Sequence, residues 1–413
     1  MGVNIFIAKR LSSDGRSGKR LSAISNTIAW ISIAISILVI FIALAVLSGF
    51  KKEINHKISG FSGDIHLNKV GVDYRSDASP ISKNISYLSK IDSLESVDRI
   101  SPVSYRSGII KTDENIQGLL FKGVDSTYNF DFFESALVEG TLPDFSHRTS
   151  NKILISKRLA QMMNYKVGDE VVAYYVGDNV KIRKYEVCGL YDIQFENIDK
   201  TLAIVDSGHI RNLNGWDKDD VSSFEITLAK GADLFFTTEE IFNIIYEYQS
   251  EDDPHILPTT IEREYQTLFD WLNLLDFNVA IIIILMIAVA GFNMISSLLI
   301  ILFEKISMIG LLKSMGMTTK NICGVFLYRS MYIVGKGIFW GNVVALICYF
   351  VQKYTHLIKL SPENYFVDFV PMDISLWTVL LLNIFSVLVI MLILSLSSIF
   401  VARVSPSKAM SVN

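Results

Sequence analysis

The chain has 413 residues, half of them apolar, with 38 Lys and Arg against 42 Asp and Glu for a formal net charge of -4. It is too hydrophobic for a wholly soluble protein and too charged for a bare membrane bundle, so two kinds of region are expected. No basic field points to nucleic acid, and the three cysteines, Cys188, Cys323 and Cys348, form neither a disulfide framework nor a zinc-type CxxC spacing.

Residues 1–20 are a basic N-terminus carrying Lys9, Arg10, Arg16, Lys19 and Arg20. Residues 21–50 hold no charge, and at about 30 residues they exceed the roughly 20 needed to cross a bilayer. This run is too long for a signal-peptide core and reads as an uncleaved first transmembrane helix. Residues 277–303 and 374–402 are two more charge-free spans, and Met331 to Val351, apolar except for Lys336, reads with its lead-in from Asn321 as the remaining one, 321–351. Four transmembrane helices result. Basic residues cluster before the first span, between the second and third (Lys305, Lys313, Lys320, Arg329) and after the fourth (Arg403, Lys408), which by the positive-inside rule makes these segments and both termini cytoplasmic. Residues 51–276 and the shorter loop 352–373 are then extracytoplasmic, and 403–413 is a cytoplasmic tail.

The 51–276 segment has the pattern of a mixed α/β domain with two lobes, about 60–115 with 220–262, and 116–219. Ile65-His66-Leu67, Gly108 to Lys111, Gly118 to Gly123, Glu170 to Tyr175, Ile182 to Leu190 and Ser223 to Leu228 suggest strands. Asp178-Asn179 marks a hairpin tip within Ala173 to Tyr185. Helices are expected at Ser86 to Ile91, Arg158 to Met163 and Thr238 to Tyr248, and Glu262 to Leu275 reads as running unbroken into the second span. Lys51 to Ile58 likewise continues the first span, so both project as stalks.

Four groups of residues invite a functional reading. In 304–320, Met308, Leu311, Leu312 and Met315 recur at helical spacing while Lys313 lies elsewhere on the wheel, and Gly316 is suited to a C-terminal cap. An amphipathic helix is expected there, lying on lipid or offering an apolar knob to another protein. Ser25, Ala29, Ser32, Ser36 and Ala43 form a small-residue stripe on the first span, for close helix packing or for lining a cavity. Gly337, Gly341 and Ala345 make a similar packing stripe in the third span beside Lys336, a cation that must snorkel or find a partner, and Asn293 is suited to bonding across helices. Asp178, Asn179, Arg183 and Lys184 sit at the hairpin. Six scattered histidines, no GxSxG elbow and no GxxxxGK[ST] phosphate loop leave no enzyme site and no nucleotide-binding motif.

The order of parts resembles the permease subunits of the MacB/FtsX/LolC-LolE class of ABC transporters, and within it the lipoprotein-releasing LolC/LolE type. The residues that carry the resemblance include Phe6-Ile7-Ala8-Lys9-Arg10-Leu11, Gly118 to Asp125, Phe292-Asn293, Met308 to Gly316, Tyr365 to Pro371 and Arg403 to Ala409. The resemblance implies a bacterial inner-membrane permease with a large periplasmic MacB-like α/β domain between helices 1 and 2. It implies a cytoplasmic LolD-like ATPase that binds ATP and Mg, a second permease copy or paralogue, lipoprotein cargo, membrane lipids and a LolA-like periplasmic chaperone as partners, and no cofactor on this chain. On this reading Met308, Leu311, Leu312, Lys313, Met315 and Gly316 couple to the ATPase. Ser25, Ala29, Ser32, Ser36 and Ala43 form a cavity or dimer face, and Asp178, Asn179, Arg183 and Lys184 are candidate chaperone contacts. The hairpin is short and lacks a proline-rich insertion, which leaves open whether this chain recruits the chaperone. An FtsX-like signalling role controlling a cell-wall hydrolase and a MacB-like export role are the alternatives.

Overall fold

The structure is a computed structural model that describes residues 19–73, 75, 79–146, 149–176, 179–250 and 253–402. Among these residues the longer helices are α1 (Lys19–Ser62), α2 (Lys157–Met163), α3 (Ser207–Asn214), α4 (Leu234–Tyr248), α5 (Gln266–Glu304), α6 (Ile306–Ser314), α7 (Thr319–Thr355) and α8 (Leu376–Ala402). The strands are β1 (Ile65–Lys69), β2 (Ile81–Ser82), β3 (Val97–Lys111), β4 (Ile116–Val124), β5 (Leu137–Gly140), β6 (Lys152–Ser156), β7 (Glu170–Tyr175), β8 (Lys181–Tyr191), β9 (Leu202–Asp206), β10 (Asp220–Val221), β11 (Ser223–Leu228) and β12 (Ile256–Thr260). They form two compact units. A helical unit holds the chain up to Lys52, Trp271–Lys359 and the chain from Phe369, and an α/β unit holds Glu53–Asp270 and Leu360–Asp368.

In the helical unit α1, α5, α7 and α8 are each long and apolar enough to cross a membrane. Ala29, Ile33 and Ile37 of α1 meet Ala290, Met294 and Leu298 of α5, Ile333 and Val334 of α7, and Ile390 and Leu394 of α8 in one buried cluster. Glycine sets how close α7 approaches: a Cβ on Gly337 would lie 2.8 Å from Ile33 and the Trp30 carbonyl, and one on Gly341 2.8 Å from the Ala34 carbonyl. Polar side chains add bonds between helices, as Asn293 Nδ2 donates to Ser32 Oγ at 2.6 Å and Asn342 Nδ2 to Asn383 Oδ1 at 2.8 Å.

In the α/β unit the 15-residue β3 belongs to both lobes. Its first half pairs with β11, extending an open antiparallel sheet in the order β12-β1-β11-β3. The second half pairs with both β4 and β7, and the chain of pairings β3-β4-β9-β6-β8-β7-β3 closes on itself, so this lobe is a small six-stranded barrel. The lobe boundary therefore falls inside β3 and not near residue 115. Alternation fills the barrel: Leu119 and Phe121 of β4, Ile153 and Ile155 of β6, Val171, Ala173 and Tyr175 of β7, and Ala203 and Val205 of β9 share one core. The open sheet has its own core, in which Ile65, Leu67, Phe224 and Ile226 pack beneath Ile241 and Ile245 of α4. Asp233 caps α4, its carboxylate accepting from the Phe235 and Phe236 amides.

The expected unbroken helix from Glu262 is interrupted. A turn of helix over Ile261–Glu264 ends at Tyr265, whose φ of -103° and ψ of 38° leave the helical region, and α5 starts at the next residue. The Tyr265 ring packs edge-on against Phe61, 5.9 Å between centroids, so a tertiary contact overrides local helix propensity.

Candidate functional site

Helix α6 follows α5 after a single non-helical residue, Lys305, and the turn behind it is closed by Gly316 at φ +87°, a conformation glycine adopts without cost. Its buried residues are Ile309 and Gly310, and Ile309 meets Ile301 and Leu302 of α5 and Ile322 and Phe326 of α7, with Leu312 partly buried against the same cluster. Its open side is Leu311 and Met315, one turn apart and 58% and 75% exposed. Met308 and Lys313 are half-buried. The expected four-residue knob is thus divided. Ile309 and Leu312, spaced i and i+3, are taken up by the chain's own packing, which leaves Leu311 and Met315 as the apolar pair facing outward.

The small-residue stripe of α1 is also placed differently from a free face. Ser25, Ala29 and Ser36 are buried, Ser32 is half-buried and accepts the Asn293 bond, and Ala43 is half-buried. The stripe packs inside this chain's own helices, where small side chains permit the close approach of Gly337 and Gly341. The uncovered face of α1 is Ile24, Ile28, Ile31 and Ile35, all exposed. Lys336 lies beside the stripe with its ammonium 4.6 Å from the centre of the Trp30 ring, a cation–π partner that eases its position in an apolar helix.

In the hairpin, Tyr175 pairs with Lys181 across the turn between β7 and β8. Lys184 Nζ is bonded to Glu170 at 2.6 Å, and Arg183 donates to the Ile182 carbonyl. Asn179 lies in the turn, and Asp178 lies outside the described residues. Exposed Val176, Val180 and Ile182 accompany these charges, so the tip is more apolar than its named polar residues suggest.

A buried ionic cluster in the α/β unit was not legible beforehand. Lys122 of β4 is fully buried, and its Nζ donates to Glu225 Oε2 of β11 at 2.7 Å, to the Phe61 carbonyl at 2.6 Å and to Tyr128 Oη at 3.1 Å. Tyr105 donates to the other oxygen of Glu225. Burial opposes the Lys122 charge, but the Glu225 carboxylate and the Tyr128 hydroxyl outweigh it and hold the ammonium's pKa above its ordinary value. His66 lies close by with Nδ1 2.9 Å from Glu264 Oε2, but burial lowers its pKa to about 4 and leaves the ring neutral at pH 7, and Arg75 also reaches Glu264. The bonded Lys122, Glu225, Tyr128 and Tyr105 hold these parts of the domain together.

Together, four membrane-length helices, an α/β domain inserted between the first and second, and an exposed apolar pair on a short helix between the second and third are the parts of a polytopic membrane protein. A model of the MacB-like periplasmic core domain matches residues 27–241, more than half of the chain, and a model of the FtsX-like permease C-terminal region matches residues 280–406. The chain belongs to this family of ABC-transporter permeases, in which a MacB-like periplasmic domain is joined to an FtsX-like C-terminal region. Among curated relatives it is similar to the lipoprotein-releasing system transmembrane protein LolC of Xylella fastidiosa, 21% identical over 91% of this chain and 89% of that one. It is 22% identical to LolC of Neisseria meningitidis, over 92% and 90% respectively. The periplasmic region of MacB from Actinobacillus actinomycetemcomitans aligns with 51% of this chain and 95% of its own at 14% identity and a TM-score of 0.36.

Proposed function

We propose that the chain is the permease subunit of an ATP-driven transporter that releases lipoproteins from the bacterial inner membrane, and that α6 docks on a cytoplasmic ABC ATPase. The observation that carries this reading is the likeness, over about nine-tenths of both chains, to proteins named for lipoprotein release. The ATPase would bind ATP and Mg. Leu311 and Met315 supply the contact on this side, and burying the pair in a partner groove contributes about 3–6 kcal/mol. Lys305, Lys313 and Lys320 orient that end of the helices to the cytoplasm, which leaves the α/β domain in the periplasm and both termini inside. A second permease copy or paralogue completes the lipid path, and a LolA-like chaperone receives the cargo.

The test is reconstitution of the chain with its native ATPase in proteoliposomes carrying a lipoprotein, with a soluble acceptor outside. ATP-dependent appearance of the lipoprotein on the acceptor is the expected result. ATP hydrolysis that leaves the lipoprotein in the bilayer, while the α/β domain activates a cell-wall hydrolase, would replace transport with signalling.

A further inference from the structure

The connection between α7 and α8 changes unit twice. Ile358 and Val370 are joined by a backbone bond and Lys359 and Phe369 by a β-bridge, all within the helical unit. Leu360–Asp368, between them, folds with the α/β unit. Across the mouth of this nine-residue loop the Leu360 amide donates to the Asp368 carbonyl at 2.8 Å. The loop is thus a third covalent route between the two units, besides α1 and the segment that leads into α5.

Its seat is specific. The Phe366 ring stacks on Phe195, 4.5 Å between centroids and 17° between planes. Lys57, on the last turns of α1, donates to the Phe366 carbonyl at 2.9 Å and to Gln194 Oε1 at 2.7 Å, and Gln194 Nε2 donates to Asp368. Arg158 reaches Glu363 at 2.9 Å, and Val367 is buried. Phe366 and Gln194 both have positive φ, 60° and 64°, and they are two of only four such non-glycine residues among those described. Side chains with a Cβ adopt this conformation rarely, and here two of them face each other through one lysine. A passive connector has no need of such a pair. The receiving loop is itself held by Asp199, which accepts from the Ile193 and Phe195 amides.

We propose that Leu360–Asp368 is a strap that stays seated on the Phe195, Gln194 and Lys57 platform, so that α7 and α8 cannot shift without loading the periplasmic domain and the outer turns of α1. The inference rests on the transport reading only for its functional measurement.

The experiment uses the full-length chain with its ATPase in lipid nanodiscs, the three native cysteines being replaced. With Gln194→Cys/Asp368→Cys, the disulfide is expected to form equally well in the nucleotide-free and vanadate-trapped states, and the locked protein is expected to release cargo at the unlocked rate. Phe366→Ala is expected to keep ATP hydrolysis while lowering cargo release per ATP by roughly 2- to 30-fold, the range typical of altered coupling. Loss of disulfide formation in the trapped state, or loss of release on locking, would overturn the strap in favour of a latch that lets go each cycle. Unaltered coupling in Phe366→Ala, with unaltered protection of 360–368 from hydrogen exchange, would overturn it in favour of a passive connector. The disulfide and exchange readouts do not depend on cargo, so failure of the transport reading would show as absent release in every form.

Discussion

Lys122 and Glu225 are bonded at 2.7 Å although they stand on strands that serve different cores. Leu119 and Phe121 on the strand of Lys122 fill the barrel, whereas Phe224 and Ile226 beside Glu225 fill the core of the open sheet. The pair closes the seam between the lobes, and because Lys122 also holds the Phe61 carbonyl it secures the last turn of α1 at the same point. A substitution here therefore tests the seam and not either core.

Lys122→Met is expected to leave Glu225 as an uncompensated buried carboxylate and to destabilise the domain by about 3–5 kcal/mol, because breaking one side of a buried pair costs more than the pair is worth. Lys122→Met/Glu225→Leu should regain most of that loss. Thermal unfolding of the purified chain measures both, and a double variant no more stable than the single one would show that the bond to Phe61 or Tyr128 dominates.

The two faces of α6 should respond differently. Leu311→Asp places a carboxylate on the exposed apolar pair and is expected to detach the ATPase in copurification while the chain's own fold and membrane insertion persist. Leu312→Ala, on the packed side, should instead cost about 2–3 kcal/mol of stability with the ATPase still bound. The reverse pattern would mean that α6 is turned over in the assembled transporter.

On α1, single cysteines replacing Ile28 or Ile35 are expected to crosslink to a neighbouring subunit or to lipid-borne probes. Cysteines replacing Ser25 or Ala29 should react only with positions on the same chain. Intermolecular crosslinks from Ala29 alone would show that the bundle opens to admit a partner.

Burial pushes the Asp199 carboxyl up to about 6, with the Ile193 and Phe195 amides acting against the shift and Asp192 adding to it. The folded pKa lies above the ordinary 3.8, so the group's stabilising contribution is complete below about pH 4 and is lost as pH rises through 6. Asp199→Asn should remove that slope, gaining up to about 3 kcal/mol on the wild type between pH 4 and pH 7. Parallel stability curves for the two proteins over this interval would place the carboxyl at an ordinary pKa.

Cys188 is buried, its Sγ lies 3.2 Å from the Ile153 carbonyl, and burial pushes the thiol up to about 11. It should resist a membrane-impermeant maleimide in the folded protein and react after denaturation, since the thiolate is the nucleophile. Rapid labelling of the native chain would mean that the barrel wall opens at β8.

The four spans were legible because an uninterrupted apolar run has few other uses, and strands such as Ser223–Leu228 because one face alternates. Closure of the barrel was not, since the β3–β7 and β4–β9 pairings join segments far apart in sequence and leave no local mark. Leu311 and Leu312 show the same limit at a single site. Both are apolar and adjacent in sequence, and only the position of Ile309 against α5 and α7 decides which one is covered. Lys122 stood within a motif whose strand alternation was readable, but the partner that allows it to be buried lies 103 residues away. The β9 strand and helix α3 were missed although Asp206 before the helix and Gly215 after it are recognisable caps.

Barrel closure also decides how the domain can meet other proteins. Closing six strands into a ring leaves β12 and β5 as the ends of the long sheet's path among the described residues. Pro258 sits in the middle of β12 and cannot donate to an added strand, while β5 is four residues long and its register shifts between Leu137 and Glu139. Both ends of that path are thus poor templates for an added strand, which favours recognition through side chains and turn tips, where one substitution can retune it without disturbing the sheet.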